Sequence, residues 1–514
     1  MQTLLVAAAA AVSHFPALFA GFTWLDHGDI ESGAAIAPPA HWLELFTHGY
    51  ARTGFYRPVT ALSLSIDGLV GAPWMFHLTN VALHAAASVL LMRAALALGV
   101  PRRASVFAAI LFAVHPVASS MVVDQITTRT DSLAACALFG LIAACAARRP
   151  VLALIAMLLG ALSKETALVL GPMFVVLTLL GGLSAKDART TVITAGVGWA
   201  LALSLRLLFA PPWSSHALPL SGVAAVATRL GSVARSAYVL LVPDSRVCDA
   251  FPILSATDVK AWVGLIVAVV LIVYAAIRRG PMLFVLLALL PSLALVPVPR
   301  FWSPHYLYLP FGFLSMAIAL EIDRLGRAGA YLLGAVALLW AAVSFRTAFH
   351  FHDDASLFAR EVEGRPFCRE AQLYLGDWKR QHGDTEGAAE AYLLAAAPTP
   401  RVISYSDEAA ALQNLGLVRL EQKRFDEAAQ AFRGALADQN DGVVRRQLRH
   451  NLAAAALGKG DYEEAMRLLS AEAARPDAMP ESVELLARVL VALHRDDEAK
   501  ALLSDAQARG ILKR

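Results

Sequence analysis

The stretch VLALIAMLLGALSKETALVLGPMFVVLTLLGGL, residues 151–183, decides the fold. Lys164 and Glu165 are the only ionisable residues in an otherwise apolar run. Ionisable groups held against a bilayer are costly, so such a pair either marks a reversal of the chain at a membrane face or forms an ion pair within a site. On that reading residues 151–162 and 167–183 are two separate membrane helices.

Further apolar runs lie on both sides of this stretch. Residues 4–24, 74–99, 104–115, 132–147, 191–210, 259–277, 281–297, 306–322 and 330–345 read as spans of a roughly 30 Å hydrocarbon core, for about eleven in all. Arg229 and Arg235 interrupt residues 223–242, which suggests an amphipathic or re-entrant helix lying in the interface. The first run lacks a basic leader and a good cleavage site, so it is expected to stay as a helix. The composition agrees: the chain has 514 residues, 57% hydrophobic and 17% charged, against the roughly 25% charged of an average soluble protein. A net charge of +3 is too small to suggest a nucleic-acid partner, and no basic cluster is interleaved with aromatics.

Basic residues orient the spans. With the N-terminus in the cytoplasm, Arg102 and Arg103, Arg148 and Arg149, Lys186 and Arg189, Arg278 and Arg279, and Arg324 and Arg327 all face inward, as the positive-inside rule asks. The loop 24–58, residues 115–131, Lys164 with Glu165, residues 211–260, residues 300–305 and everything beyond His350 then share the outer side. Polar residues suited to chemistry collect on that side. Cys248 and Cys368 fall there too, where a disulfide can form, whereas Cys136 and Cys145 lie in an apolar run and read as packing residues.

Beyond residue 350 the composition changes and a repeat emerges. Leu375-Gly376, Leu415-Gly416, Leu452-Ala453 and Leu486-Ala487 are followed by Ala388, Ala428, Ala465 and Ala499, then by Tyr392, Phe432, Leu469 and Leu503. This is the spacing of the 34-residue tetratricopeptide pattern, in about four units. Small residues let paired helices approach, large ones fill the seam, and the expected product is an α-solenoid whose groove can hold an extended peptide or a partner protein. The domains are expected at 1–349 for the membrane part, 350–368 for a linker helix and 369–514 for the repeats.

The order LDHGDI, FYRPVTALS, WMFHLTNVALHA, LFAVHPV, TTRTDSLAA, LSKE, HYLYLPFGF, followed by the repeats, resembles the transmembrane and tetratricopeptide-repeat O-mannosyltransferases of the GT-C class. That resemblance spans nearly the whole chain, with residues 211–300 contributing little. It implies an all-α, multispanning GT-C membrane domain followed by the solenoid. It also implies a polyprenyl- or dolichyl-phosphate sugar donor, and inverting transfer to protein hydroxyls outside the cytoplasm. The Ala-, Leu- and Arg-rich composition suggests a bacterial inner membrane with periplasmic repeats.

The residues fit that chemistry. A lipid-phosphate sugar brings its own leaving group, so the enzyme needs a base for the acceptor hydroxyl and cations for the departing phosphate. Asp26 matches the acid that serves as base in this class, although Leu25 replaces the partner acid and leaves Asp29 as an alternative. Arg57 offers bidentate donation to phosphate or sugar, against a bland role of reaching headgroups. His115, the Arg129 and Asp131 pair, Lys164 with Glu165, and Arg300, His305 and Tyr306 complete the substrate-binding candidates. Each also has a structural reading, as a hydrogen-bonder, helix cap, chain reversal or interfacial anchor. No zinc, calcium or glycine-rich nucleotide motif occurs; a divalent ion at Asp26 and Asp29 stays open, although two carboxylates three residues apart are too common to indicate one. Competing functions are a GT-C enzyme acting on an envelope glycan or lipid, and a non-enzymatic repeat scaffold on a membrane anchor. Asp67 and His84, polar groups inside apolar runs, would suit a transporter.

Overall fold

A computed structural model describes residues 1–51, 54–180, 185–210, 220–242, 248, 250–293, 300–363, 365, 367–405, 407–439 and 441–512. Parts of the expected outer segment 211–260, the end of the expected span 281–297, and Arg52 and Thr53 of the loop 24–58 lie outside these residues, as does the side chain of Lys186. Among the described residues the protein is all-α but for one pair of two-residue strands, Phe251–Pro252 antiparallel to Val402–Ile403. It divides into two compact units, Met1–Arg360 with Arg401–Ile403, and Glu361–Pro400 with Ser404–Arg514.

Among the described residues, six helices of the first unit are long and apolar enough to cross a membrane: Pro73–Ala97, Arg129–Ala146, Arg189–Phe209, Val259–Arg278, Pro304–Asp323 and Gly326–Phe351. Gln2–Ser13, Pro150–Ser163 and Glu165–Leu180 are apolar but shorter. Val259–Arg278 is largely exposed, with Trp262, Ile266, Val270 and Val273 pointing outward as an apolar surface suited to lipid. Proline opens many of these helices, at Pro58, Pro73, Pro150 and Pro281, where its missing N–H costs nothing.

The core is aromatic. Phe112, Phe139, Phe174, Phe284, Phe311 and Phe313 are buried, with rings meeting mostly edge to face. Gly312 admits this arrangement, since a Cβ there would stand 2.6 Å from Phe139 Cζ. The expected first span, residues 4–24, is not one helix: it ends at Ser13, and a 3-10 turn at Phe15–Phe19 follows. Pro16 cannot donate into a continuing helix, and His14 turns inward to Asp124 at 2.8 Å, with both side chains sealed from solvent. Residues 223–242 do form a helix, Gly222–Leu241. Its small face of Ala225, Thr228, Gly231 and Ser232 is buried, and it packs on Val259–Arg278.

In the second unit Arg369–Gln381, Thr385–Ala396, Glu408–Glu421, Phe425–Asp438, Gly442–Lys459, Tyr462–Ala473, Pro480–Ala492 and Asp496–Ala508 follow one another, each packing on the next. Asp384, Asp407, Asp441 and Asp461 cap four of them, accepting from backbone N–H groups of the first turn. A Cβ at Gly376 would meet Tyr392 Cε1 at 2.6 Å, and one at Gly416 would meet Phe432 Cε1 at 2.5 Å. Thus the small residue and the ring of the sequence pattern are in contact.

Among the described residues Cys136 and Cys145 are free thiols, while Cys248 and Cys368 are disulfide-bonded.

Candidate active site

The site is built where the loop after the first helix meets helix ends of the first unit. Residues 23–31 begin with Trp24 in a left-handed backbone conformation (φ 55°) and continue through a π-turn at His27–Glu31. Asp26 points inward from this loop and is fully buried. Its Oδ1 accepts from Gln125 Nε2 at 2.9 Å and Thr127 N at 3.1 Å, and its Oδ2 accepts from Thr23 N at 3.2 Å. Burial raises its pKa to about 7, against the backbone hydrogen bonds and His27, which lower it. Asp29, three residues on, is half-buried. It accepts from Tyr50 Oη at 3.4 Å, and its pKa is raised by burial while Arg57 and Tyr50 pull it back.

Arg57 precedes the helix Pro58–Asp67 and turns its guanidinium to Glu165, with Nη2 at 2.8 Å and Nε at 2.9 Å from Oε2. Arg206, from Ala185–Phe209, reaches the other carboxylate oxygen of Glu165 at 3.4 Å. Glu165 Oε1 also accepts from Tyr56 N at 3.2 Å. Lys164, in extended conformation between Pro150–Ser163 and Glu165–Leu180, pairs with Asp131 and lies 5.8 Å from the Tyr306 ring centroid. The run 151–183 therefore does reverse at Lys164, and both residues of the break also form ion pairs. Tyr306 Oη bonds both the N–H and the carbonyl of Arg300, at 3.2 Å each, and the Tyr306 ring meets His305 edge to face with centroids 4.3 Å apart. Arg57 lies within electrostatic range of Lys164 and His305, and the Arg300 guanidinium stands 5.4 Å from the Trp24 ring. A cleft of about 240 Å³ opens beside this group, lined by His41, Glu44, His48, Tyr50 and Arg57 among others.

Asp29, Arg57, Asp131, Lys164, Glu165, Arg300, His305 and Tyr306 thus come together although they span much of the chain. Arg129 and His115 do not share their setting. Arg129 is fully buried: its guanidinium donates to Asn80 Oδ1 at 2.7 Å, to Ser63 at 3.1 Å and to the Phe76 carbonyl at 2.8 Å, and it forms an ion pair with Asp67 at 2.6 Å. His115 is sealed between Phe311 and Trp340, with ring centroids at 4.0 and 4.5 Å, and its Nε2 bonds the Leu240 carbonyl at 3.1 Å. Asp67 is the partner of Arg129, and His84 bonds Tyr308 Oη at 2.7 Å. Among the described residues no group of three or more His, Cys, Asp or Glu is placed to hold a metal ion.

Sequence reasoning passed over Arg206, Tyr50, Gln125 and Asp354. Arg206 carried a signal, being a lone cation within an apolar run. Asp354 carried none, since its contacts lie more than 300 residues away in sequence.

Arg57, Lys164, Arg206 and Arg300 gather here with the carboxylates of Asp29, Asp131 and Glu165. A cationic surround of this kind, dominated by guanidinium groups, suits an anionic oxygen ligand such as a phosphate. The loop acids beside it can accept a proton.

Curated relatives share part of this chain. The protein O-mannosyl-transferase Tmtc2 of Drosophila melanogaster is 34% identical over 138 residues, covering 25% of this chain and 14% of the relative. TMTC3 of Mus musculus is 29% identical over 126 residues, 23% of this chain and 14% of the relative. TMTC3 of Homo sapiens is 30% identical over 126 residues, with the same coverage. The chain thus spans 14% of the length of these relatives. No protein-family profile and no solved structure matches it. Part of the chain is therefore similar to proteins named as protein O-mannosyl-transferases.

Proposed function

We propose that this protein is a membrane glycosyltransferase of the GT-C type that moves a hexose, mannose or a similar sugar, from a polyprenyl-phosphate donor to a protein hydroxyl. The observation that carries the proposal is the convergence of Arg57, Lys164, Arg206, Arg300 and His305 beside the acidic loop 26–31. The names of the relatives point to the sugar and to a protein acceptor. In the reaction a loop carboxylate takes the acceptor O–H proton and the acceptor oxygen bonds the anomeric carbon from the face opposite the phosphate. The bond from that carbon to phosphate oxygen breaks, and its electron pair leaves with the lipid phosphate, held by the cations.

Asp29 is the better-placed base in this conformation, because it is solvent-reachable and next to Arg57 and the cleft. A base must come within hydrogen-bond reach of its proton, and Asp26 is closed off by three N–H donors. One observation favours Asp26 instead: its pKa near 7 suits proton transfer at neutral pH, which would require the loop to open.

In this reading about eleven segments span the bacterial inner membrane, the short apolar helices being completed by their flanks. The second unit is a periplasmic tetratricopeptide-repeat solenoid whose groove receives the acceptor protein or peptide. The disulfide-bonded state of Cys248 and Cys368 agrees with an oxidising compartment.

The test is turnover of undecaprenyl-phosphate mannose and glucose by purified full-length protein, comparing wild type, Asp29→Asn and Asp26→Asn. Loss of about 10²-fold or more in Asp29→Asn, with a smaller effect of Asp26→Asn, is expected from removal of a base. The reverse ranking moves the base to Asp26, and donor turnover indifferent to both removes the loop from the mechanism. Mass spectrometry of the products separates a protein acceptor from an envelope glycan or lipid. No turnover of any polyprenyl-phosphate sugar leaves the scaffold reading.

A further inference from the structure

The helix Asp354–Val362, which follows the last apolar helix Gly326–Phe351, sets one face against the acidic loop. Asp354, 6% exposed, accepts from Trp24 N at 2.8 Å through Oδ1 and bonds His27 Nε2 at 3.0 Å through Oδ2. One turn on, buried Phe358 meets the Trp24 indole edge to face at 6.0 Å. Arg300 lies 5.4 Å from the same indole. The imidazole of His27 is gripped from its other nitrogen by Glu31.

Trp24 is where such a grip matters. Its φ of 55° is uncommon for a residue with a side chain, and such a conformation persists only where the surroundings hold it. Trp24 and His27 flank Asp26, and Asp29 follows in the same turn. Releasing Asp354 would free the Trp24 amide and one side of His27 together, and with them the direction in which both loop acids point.

We infer that Asp354 is a positioning residue for the acidic loop, holding Asp26 and Asp29 in register with the cation cluster through Trp24 and His27. It touches no reacting atom. The role in turnover rests on the proposed transferase reaction, whereas the clamp on the loop does not.

The experiment uses full-length protein in lipid nanodiscs, with two readouts on wild type, Asp354→Ala and His27→Gln. Hydrogen exchange needs no substrate: residues 21–32 should exchange faster in Asp354→Ala while the helices Pro73–Ala97 and Arg129–Ala146 stay as protected as in wild type. With undecaprenyl-phosphate mannose as donor, kcat should fall about 10- to 100-fold, as expected of a misplaced acid, with KM for the donor within about twofold. His27→Gln, which removes one arm of the clamp, should fall between wild type and Asp354→Ala on both readouts. Unchanged exchange in residues 21–32 overturns the clamp, as does loosening of every helix at once. Local loosening with unchanged kcat overturns the positioning role. If wild type itself turns over no donor, the transferase reading fails, and the exchange data still decide the clamp.

Discussion

Trp24, Asp26, His27 and Asp29 fall within six consecutive positions, yet each meets a different environment. His27, partly exposed, has its pKa raised to about 9, first by the hydrogen bond to Asp354 and, against partial burial, by Glu31. Because the folded value lies above the unfolded one of about 6.5, its contribution is fully present below pH ~6.5 and is lost as pH rises through about 9. Protection of residues 21–32 against exchange should therefore decline across that window once the intrinsic pH dependence of exchange is removed, and should not do so in His27→Gln. Arg129 makes a different prediction. Its guanidinium is buried in an ion pair with Asp67, so Arg129→Ala leaves Asp67 buried and uncompensated and should cost about 3–5 kcal/mol. A thermal-shift measurement checks this, and a variant as stable as wild type would return Arg129 to the list of ligands.

At the scale of elements, the helices of the second unit depend on close approach at positions that the sequence marks. Gly416 has no room for a Cβ, because Phe432 Cε1 stands 2.5 Å from where it would lie. Gly416→Val should therefore lower the stability of this unit by about 1–3 kcal/mol through overpacking. Denaturant unfolding of the full chain, followed by helical signal, reads it, and no shift in midpoint would mean that the ring moves aside freely. In the first unit the element that matters most to the site is the break at Lys164. An apolar run alone would give one long helix. The charged pair turns the chain there and puts a cation and a carboxylate at the join, where Asp131, Arg57 and Arg206 meet them.

At the scale of the whole molecule, the basic loops and the acidic loop predict opposite labelling. Single-cysteine variants at His41 and Arg433 should react with a membrane-impermeant maleimide in intact cells. Variants at Arg148 and Arg279 should react only after permeabilisation. Labelling at Arg148 in intact cells would invert the topology and place the acidic loop beside the cytoplasm, where an extracytoplasmic acceptor could not reach it.

All-α character, membrane helices and the pairing of small with large residues in the second unit could be read from the sequence. Each follows from local hydrophobic period or from repeat spacing, which neighbours in the chain fix among themselves. Arg57, Lys164, Glu165 and Arg300 could be picked out because charge beside apolar sequence is costly. The direction in which each polar group points could not be read, because it depends on partners far away in the chain. Tertiary packing turned Asp26 inward to Gln125 and left Asp29 near Arg57. It gave Arg129 to Asp67 and buried His115 between two aromatic rings. Packing also brought Asp354 to Trp24 and His27 across more than 300 residues, since a buried carboxylate takes whichever donors the folded chain delivers to it.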